Sequence, residues 1–338
     1  MSVKSKLNNT LAADLQQWMP VDHHYLIGVS GGCDSMVLLH FLHSAGYRNL
    51  IVCHVNHSLR GEASDKDEAL VANVGAGLGF QVESTQVDVN GVAELQRLSL
   101  ETAARDLRYG WFSEVSARRG CSRVLTAHHA DDQVETVLIN LFRGSGSRGV
   151  SGMDHHSRRP VEGEELELFR PFLGVSRSEI EAYAAANDIA FREDESNSDD
   201  FALRNRVRNR LLPEIEEVFG RDIRGAVLRA AELARRDEAW MQQAAGELPN
   251  TAAGDGLIVK ALREMPPARR DRLLLLWLRE SGVPDCGYGE VSRVTSVLSS
   301  NDKPAKSSLP GGFHIRRREG VLFLERPDAG ERRLDQSD

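Results

Sequence analysis

The sequence predicts an α/β protein: a parallel sheet with helices on both faces, followed by a smaller α+β C-terminal domain. Up to about residue 145, short apolar runs rich in β-branched residues alternate with longer segments of helical spacing. Strands that alternate with helices pair in parallel, because each helix returns the chain to the same end of the sheet. From about residue 250 the order changes to a strand, two helices and a hairpin, which indicates a second domain.

The elements of the first part follow one another regularly after an N-terminal helix. The apolar runs predict strands at residues 25–30, 49–57, 80–89 and 123–127. The segments between and after them predict helices at residues 35–46, 64–79, 99–120 and 131–145. Residues 151–173 are expected to form a loop and a short strand, and Ser176 with Glu179 predicts a capping box that begins another helix. A polar loop then leads into a basic helix that ends near Pro213.

The later elements suggest where the domains divide. A long helical stretch to about residue 246 follows, and then a strand, two helices and a hairpin at residues 256–262, 266–282, 288–300 and 313–327. At 338 residues the chain exceeds the roughly 100–200 residues of one domain. We expect a first domain, a connecting helical segment, a C-terminal domain and a tail, at residues 1–215, 216–248, 249–328 and 329–338.

Composition excludes several classes of protein. A hydrophobic content of 41% with 27% charged residues is typical of a globular protein and excludes a disordered chain or a fibre. No stretch approaches the roughly 20 apolar residues of a membrane helix, and no signal peptide is recognisable, so we expect a cytoplasmic protein without a membrane partner. The four cysteines form no C-x-x-C pair, which argues against a disulfide framework, a zinc site or an iron–sulfur cluster.

The net charge of −8 alone disfavours a nucleic-acid partner, but the charges are unevenly distributed. Basic residues cluster at residues 204–210, 266–272 and 314–320. Such clusters can bind phosphates on a protein that is acidic overall. Each cluster considered alone is equally compatible with a solvated helix face.

The segment SGGCDS, residues 30–35, joins the first predicted strand to the first helix of the repeating part. It could simply turn the chain, or its backbone N–H groups and the helix N-terminus could hold phosphates. The additional oxygen groups of Ser30, Asp34 and Ser35 favour the phosphate site. Asp34 would repel a phosphate unless a cation lay between them, so it is a candidate Mg²⁺ ligand.

Other polar residues follow the ends of neighbouring strands, where ligands bind in parallel sheets. His54 and Asn56 follow the second strand and are expected to line a nucleotide pocket. His128, Asp132 and Glu135 are four and three residues apart, so on a helix they would share one face. His128 could also be purely structural, and an aspartate here could merely cap the helix.

The SGGCDS loop resembles the pyrophosphate-binding loop of the ATP pyrophosphatase, or PP-loop, superfamily. Five later segments indicate one family within this superfamily. HVNHSLRGEASDKDE, ETAARDLRYGWF, TAHHADDQVETVLINLFRGSGSRGVSGM, RPFLGVSRSEIEAYA and EDESNSDDFALRNRVRNRLLP resemble the tRNA(Ile)-lysidine synthase family. The resemblance implies the adenine nucleotide alpha hydrolase-like fold, ATP as substrate, and Mg²⁺. The C-terminal LPGGFHIRRREGVLFLE is similar to the tRNA-recognition domain of the same family.

The resemblance implies a two-step reaction. ATP adenylates the C2 oxygen of the wobble cytidine in the isoleucine tRNA with a CAU anticodon, and the ε-amine of free L-lysine then displaces AMP to give lysidine. The modified tRNA changes its codon and amino-acid identity from methionine to isoleucine. The family implies a monomer or a homodimer.

The resemblance also implies roles for individual residues. The implied ATP-binding residues are Ser30, Gly31, Gly32, Cys33, Asp34, Ser35, His54 and Asn56. The implied catalytic residues are Arg105, His128, Asp132, Glu135 and Arg206, with Asp34 and Asp132 as metal ligands. The implied tRNA-binding residues are Arg108, Arg204, Arg208 and Arg210.

Three alternatives remain at this point. A tRNA thiolase of the same superfamily would need a reactive cysteine or paired C-x-x-C ligands. An amidotransferase-type synthetase would need an ammonia source, and no glutaminase segment is recognisable. A non-catalytic RNA- or nucleotide-binding protein would lack the carboxylates, but Asp34, Asp132 and Glu135 are all present.

Overall fold

The computed structural model describes residue 7 and residues 9–192, 203–251, 256–299 and 306–326. The chain divides into two compact units, Met1–Ile139 with Gly152–Leu228 and Asn140–Ser151 with Arg229–Asp338. The expected tail at residues 329–338 lies outside the described residues. The expected domain boundaries stay predictions.

The first unit is built on a six-stranded sheet of order β3-β2-β1-β4-β6-β5. The strands are β1 (Tyr25–Gly28), β2 (Leu50–Asn56), β3 (Gln81–Gln86), β4 (Arg123–Leu125), β5 (His156–Val161) and β6 (Glu164–Phe169). All neighbouring pairs are parallel except β5 with β6, so the antiparallel β5 forms one edge. The carboxyl ends of β1, β2 and β4 therefore meet at one side of the sheet.

Helices cover both faces of this sheet. Along the chain the helices of the first unit are α1 (Asn9–Gln16), α2 (Cys33–Ser44), α3 (Glu62–Gly77), α4 (Val89–Gln96), α5 (Leu100–Arg119), α6 (Ala130–Phe142), α8 (Arg177–Ala186), α9 (Leu203–Arg206) and α10 (Leu212–Phe219), whereas α7 (Ser147–Val150) and most of α11 (Arg224–Ala245) belong to the second unit. Alternate residues of β1 serve opposite faces, as the strand period requires. Ile27 belongs to one buried cluster with Met36 of α2, and Leu26 belongs to another with Phe112 of α5. This confirms the predicted fold class.

The second unit contains a four-stranded antiparallel sheet of order β7-β10-β9-β8. Its strands are β7 (Leu257–Ile258), β8 (Lys306–Ser308), β9 (His314–Arg318) and β10 (Val321–Glu325), and its helices include α12 (Val259–Glu264), α13 (Pro267–Glu280) and α14 (Tyr288–Ser299). Leu274 of α13, Val294 of α14 and Ile315 of β9 share one buried cluster. The smaller α+β domain is thus confirmed.

Residues 151–173 contain the expected short strand, β6, but the expected loop before it includes a second strand, β5, and the two form a β-hairpin. Its two-residue turn is Glu162–Gly163, with φ of 51° and 91°, which is the left-handed geometry of tight hairpins. The sequence of β5 did not indicate a strand, because β5 is rich in polar residues and contains Pro160. Such residues are tolerated in β5 because it lies at the edge of the sheet.

Three other expectations were wrong in detail. The strand expected at residues 256–262 ends after Ile258, because a short apolar run does not distinguish a strand from a buried helix. The third strand ends at Gln86, and Asp88 then caps α4, which the sequence did not reveal. The basic helix continues past Pro213, which lies in the first turn of α10 after a π-helical turn, Val207–Leu211.

Candidate active site at the carboxyl ends of the parallel strands

The loop between β1 and α2 is held in shape by its own serines. The Ser35 hydroxyl donates to the Gly32 carbonyl at 3.0 Å and accepts from the Ser30 N–H at 3.1 Å. Gly31 has a φ of +92°, a conformation that L side chains rarely adopt. The loop ends at Gly32, the N-cap of the 12-residue helix α2, so the positive end of that helix dipole faces the loop. This arrangement can receive a phosphate group.

A cavity of about 910 Å³ opens beside this loop within the first unit. Its walls come from the β1–α2 loop, the segment after β2, α3, the segment after β4, α8 and the π-helical turn. Of the predicted loop residues, Ser30, Gly32, Cys33, Asp34 and Ser35 line it. Gly31 is buried behind them. The expected clustering of polar groups at the strand ends is therefore present.

Two carboxylates meet at the ring of His129 rather than at the predicted His128. The His129 Nε2 atom lies 3.6 Å from Asp34 Oδ2 and 3.5 Å from Asp132 Oδ2. Burial opposes a charge on Asp34, but the hydrogen bond with His129 and nearby positive charges outweigh it and lower its pKa. The same carboxylates outweigh the effect of burial on His129 and raise its pKa. Asp34 is therefore ionised at neutral pH.

This carboxylate pair fits a divalent cation whose other ligands are phosphate oxygens and water. Asp34 Oδ1 is buried and has no hydrogen-bond partner among the residues that the structure describes. Carboxylate oxygens are the protein ligands that Mg²⁺ prefers, and it commonly takes one or two of them. Within the described ranges, no group of three or more His, Cys, Asp or Glu side chains could hold a metal ion by itself.

The predicted helical face of His128, Asp132 and Glu135 is only partly correct. Because α6 begins at Ala130, His128 precedes the helix, where its Nδ1 is hydrogen-bonded to Thr126 Oγ1 at 2.8 Å. His128 and Asp132 line the cavity. Glu135 is fully buried and does not line it.

Arg208 connects Glu135 and Asp132 to the cavity. Its Nε donates to Glu135 Oε1 at 2.6 Å, and its Nη2 donates to Asp132 Oδ1 at 3.4 Å. Burial raises the pKa of Glu135 and outweighs the opposite effect of Arg208. Arg208 was predicted to contact tRNA, but its side chain lies in the cavity wall.

The other arginines of the basic helix lie elsewhere. Arg204 contacts Thr136 and Glu101, at 3.2 Å and 3.7 Å. Arg206 and Arg210 are exposed, and none of these three lines the cavity. The structure thus brings Arg208 to the cavity rather than Arg206, whose predicted catalytic role stays a prediction.

Of the residues at the end of β2 and just after it, some line the cavity and others do not. His54 Nδ1 donates to the Val29 carbonyl at 2.8 Å, and His54 lines the cavity. Asn56 does not line it, because its amide donates to Asp65 and Glu68 at 3.0 Å each. His57 lines the cavity instead. Burial, with smaller contributions from Arg108 and His54, lowers the pKa of His57 to about 4.

A strongly positive region adjoins the cavity at α5. Arg108 lines the cavity, and in the described part of the chain its Nε has no hydrogen-bond partner. Arg105 does not line it but lies with its Cζ 5.4 Å from the Tyr109 ring, and Arg108 lies 5.7 Å from the same ring. Burial and these arginines together lower the pKa of His128 well below its usual value. Such a region favours an anion.

The cysteine in the loop is poorly suited to nucleophilic chemistry. Burial and the adjacent Asp34 charge raise the pKa of the Cys33 thiol to about 11. All four cysteines are free, and Cys33, Cys53 and Cys121 are buried, as expected.

Sequence reasoning missed several residues of the cavity wall, notably Arg60, Asp67, Arg177 and Arg192. Arg60 and Asp67 stand in the HVNHSLRGEASDKDE segment, so the resemblance already pointed to their neighbourhood. No spacing rule indicates that Arg192, far along the chain, contacts Asp67, the same carboxylate that Arg60 contacts.

No helix of the described residues is long and apolar enough to cross a membrane.

Comparison with known proteins agrees with this geometry. Residues 2–215 match the family model for the PP-loop domain, and residues 257–323 match that for the TilS substrate binding domain. The chain is 37% identical to a tRNA(Ile)-lysidine synthase of Geobacter sulfurreducens over 84% of its length and 61% of the relative's length. It is 35% identical to a tRNA(Ile)-lysidine synthase of Chlorobaculum tepidum, over 86% of each chain.

A solved structure supports the fold alone. The U34-tRNA thiolase NcsA of Methanococcus maripaludis aligns with a TM-score of 0.53 and 16% identity, over 68% of this chain and 79% of the thiolase. The two family models and the extensive identity to the Chlorobaculum relative are more specific. The chain therefore belongs to the tRNA(Ile)-lysidine synthase family of PP-loop proteins.

Proposed function

We propose that this protein catalyses the ATP-dependent formation of lysidine at the wobble cytidine of the isoleucine tRNA with a CAU anticodon. The observation that carries the proposal is the cavity that combines the phosphate-binding loop with Asp34 and Asp132. The names of the similar proteins support the reaction. The chain spans 61% of the Geobacter relative and 86% of the Chlorobaculum relative, so activity and substrates are assigned as proposals.

In the first step the cytidine C2 oxygen attacks the α-phosphorus of ATP, and pyrophosphate leaves. The loop N–H groups and the α2 N-terminus bind the phosphates, and the Arg108 region offsets charge near the α-phosphate. Asp34 and Asp132 would hold Mg²⁺, which when bound neutralises charge on the phosphates.

In the second step the lysine ε-amine attacks C2, the bond from C2 to the adenylated oxygen breaks, and AMP leaves. An attacking amine must lose a proton, and a cavity-lining carboxylate that does not hold the cation can accept it. Glu135 lies behind Arg208 and is assigned to positioning that arginine. A direct contact between Glu135 and lysine would require Arg208 to move.

We further assign tRNA recognition to the C-terminal unit, in keeping with the name of the matching family model. In that unit, exposed Arg316 and Arg318 of β9 carry positive charge that suits RNA phosphates. Separately, exposed Arg206 and Arg210 of the basic helix carry such charge on the first unit. We also propose a cytoplasmic enzyme that acts as a monomer or a homodimer.

The decisive experiment incubates the full chain with ATP, Mg²⁺, radiolabelled lysine and the CAU isoleucine tRNA. We expect label in this tRNA, with stoichiometric AMP and pyrophosphate, and none in the elongator methionine tRNA. A sulfur donor in place of lysine should give no product, because the cavity-lining Cys33 and Cys53 are buried and burial raises the pKa of both thiols. Equal labelling of both tRNAs would contradict the proposed specificity, and no labelling would contradict the reaction.

A further inference from the structure

Asp67 of α3 is a buried carboxylate that holds two arginines from separate segments. Its Oδ2 lies 2.6 Å from Arg60 Nη2, and its Oδ1 lies 2.6 Å from Arg192 Nε. The Asp67 side chain is 7% exposed, whereas those of Arg60 and Arg192 are 32% and 40% exposed. Both oxygens of this buried carboxylate are therefore paired. All three line the cavity, and none has been given a role so far.

This trio, Asp67, Arg60 and Arg192, is fixed against the phosphate-binding loop. A Cβ atom placed on Gly31 would lie 3.3 Å from the Asp67 Cβ. The Arg192 N–H donates to the Gly31 carbonyl at 3.0 Å. All three side chains line the same cavity as Ser30 and Gly32. The trio therefore lies directly against the phosphate-binding loop.

The loop needs positive charge that its own residues do not supply. Residues 28–38 contain no lysine or arginine, and Asp34 adds a negative charge. Arg208 is paired with Glu135 and Asp132, and Arg177 with Glu181. The trio places two guanidinium groups beside one carboxylate in the cavity wall. A guanidinium offers N–H donors in a planar fork that matches the geometry of phosphate oxygens.

We propose that Arg60 and Arg192 bind the β- and γ-phosphates of ATP and stabilise the departing pyrophosphate, and that Asp67 is the positioning residue that aims them. The bond between the α-phosphorus and the bridging oxygen breaks, and its electron pair leaves with pyrophosphate. The two arginines meet that charge with fixed N–H donors and transfer no proton. This inference rests on the proposed function for its reaction but not for its binding test.

The test titrates the full chain, with Mg²⁺, against inorganic pyrophosphate and separately against AMP. Arg60→Ala and Arg192→Ala should each weaken pyrophosphate binding about tenfold or more, the loss expected for one charge-assisted hydrogen bond. AMP binding should change less than about twofold. The matched control is Arg118→Ala, an arginine paired with Glu83 at 3.3 Å that does not line the cavity. Equal losses for pyrophosphate and AMP, or losses no larger than in the control, would overturn the proposal.

The positioning role of Asp67 has its own test. Asp67→Asn keeps the shape of the side chain and removes its charge. In the otherwise wild-type chain this substitution should weaken pyrophosphate binding, and in the Arg60→Ala, Arg192→Ala double variant it should change the binding little. Equal weakening in the two backgrounds would show that Asp67 acts independently, and the positioning role would be wrong. Thermal unfolding is measured for each variant, and each titration is carried out at a temperature at which that variant is folded. If lysine transfer failed but pyrophosphate selectivity held, the proposed function would fall and this site would stand.

Discussion

Arg208 and Glu135 form an ion pair at 2.6 Å in which the carboxylate is 1% exposed and the arginine reaches the cavity wall. Removing one partner of a buried pair leaves the other charge uncompensated. We therefore expect Arg208→Met to lower the free energy of unfolding by about 3 kcal/mol, as measured by urea denaturation. Glu135→Leu in the same chain should restore much of this loss.

The matched control for this prediction is Arg236→Met on α11, because that arginine is 72% exposed and pairs with Glu232 at the surface. Its cost should be below about 1 kcal/mol. If Arg208→Met and Arg236→Met lowered the free energy of unfolding equally, the prediction that the buried Arg208–Glu135 pair stabilises the protein would be wrong.

Gly31→Ala should destabilise the protein although it adds one methyl group. The φ of +92° is strained for alanine, and the new Cβ would press on Asp67. We expect a loss of about 1–3 kcal/mol in the free energy of unfolding, and weaker ATP binding in an equilibrium titration. Gly32→Ala is the stability control, because its φ is −77° and its nearest neighbouring atom lies 3.5 Å from the added Cβ. A loss as large for Gly32→Ala would show that the conformation of Gly31 is not the cause.

Asp34→Ala should abolish adenylation while tRNA still binds. Asp34 Oδ1 is buried without a partner in the described chain, and we assign it to Mg²⁺. Loss of that ligand should lower pyrophosphate release at least about 100-fold, since a catalytic cation contributes several kcal/mol. Filter binding should give an unchanged affinity for the tRNA. Asp14→Ala on the exposed face of α1 should release pyrophosphate at the wild-type rate. Release at that rate by Asp34→Ala would refute the metal role.

The sequence sufficed for the sheet and the phosphate loop because their signals are local. A β-branched run followed by Ser30 to Ser35 and an apolar helix predicts β1, the loop and α2 without reference to the rest of the chain. The edge strand β5 was missed because polar residues suit a solvated edge as well as a loop.

The sequence predicted the site less well in two respects. One is the exact residue at which a helix begins, and the other is the contacts between segments that are far apart in the chain. Because α6 begins at Ala130, His129 rather than His128 lies between Asp34 and Asp132. His128 also lines the cavity, so the difference is which of the two rings meets the carboxylates. Arg192 reaches Asp67 across 125 residues of chain, and only the packed fold determines that contact.

His57 should make the stability of the protein depend on pH in mildly acidic solution. Burial, Arg108 and His54 lower its pKa from 6.5 to about 4. As the pH falls from about 6.5 towards 4, the unfolded chain takes up this proton before the folded chain does, so the folded state loses stability. His57→Gln removes this contribution, and its melting temperature should fall less than that of the wild type over that interval. His24→Gln, an exposed control, should follow the wild-type curve. If His57→Gln followed it too, the buried neutral ring would not be a source of acid sensitivity.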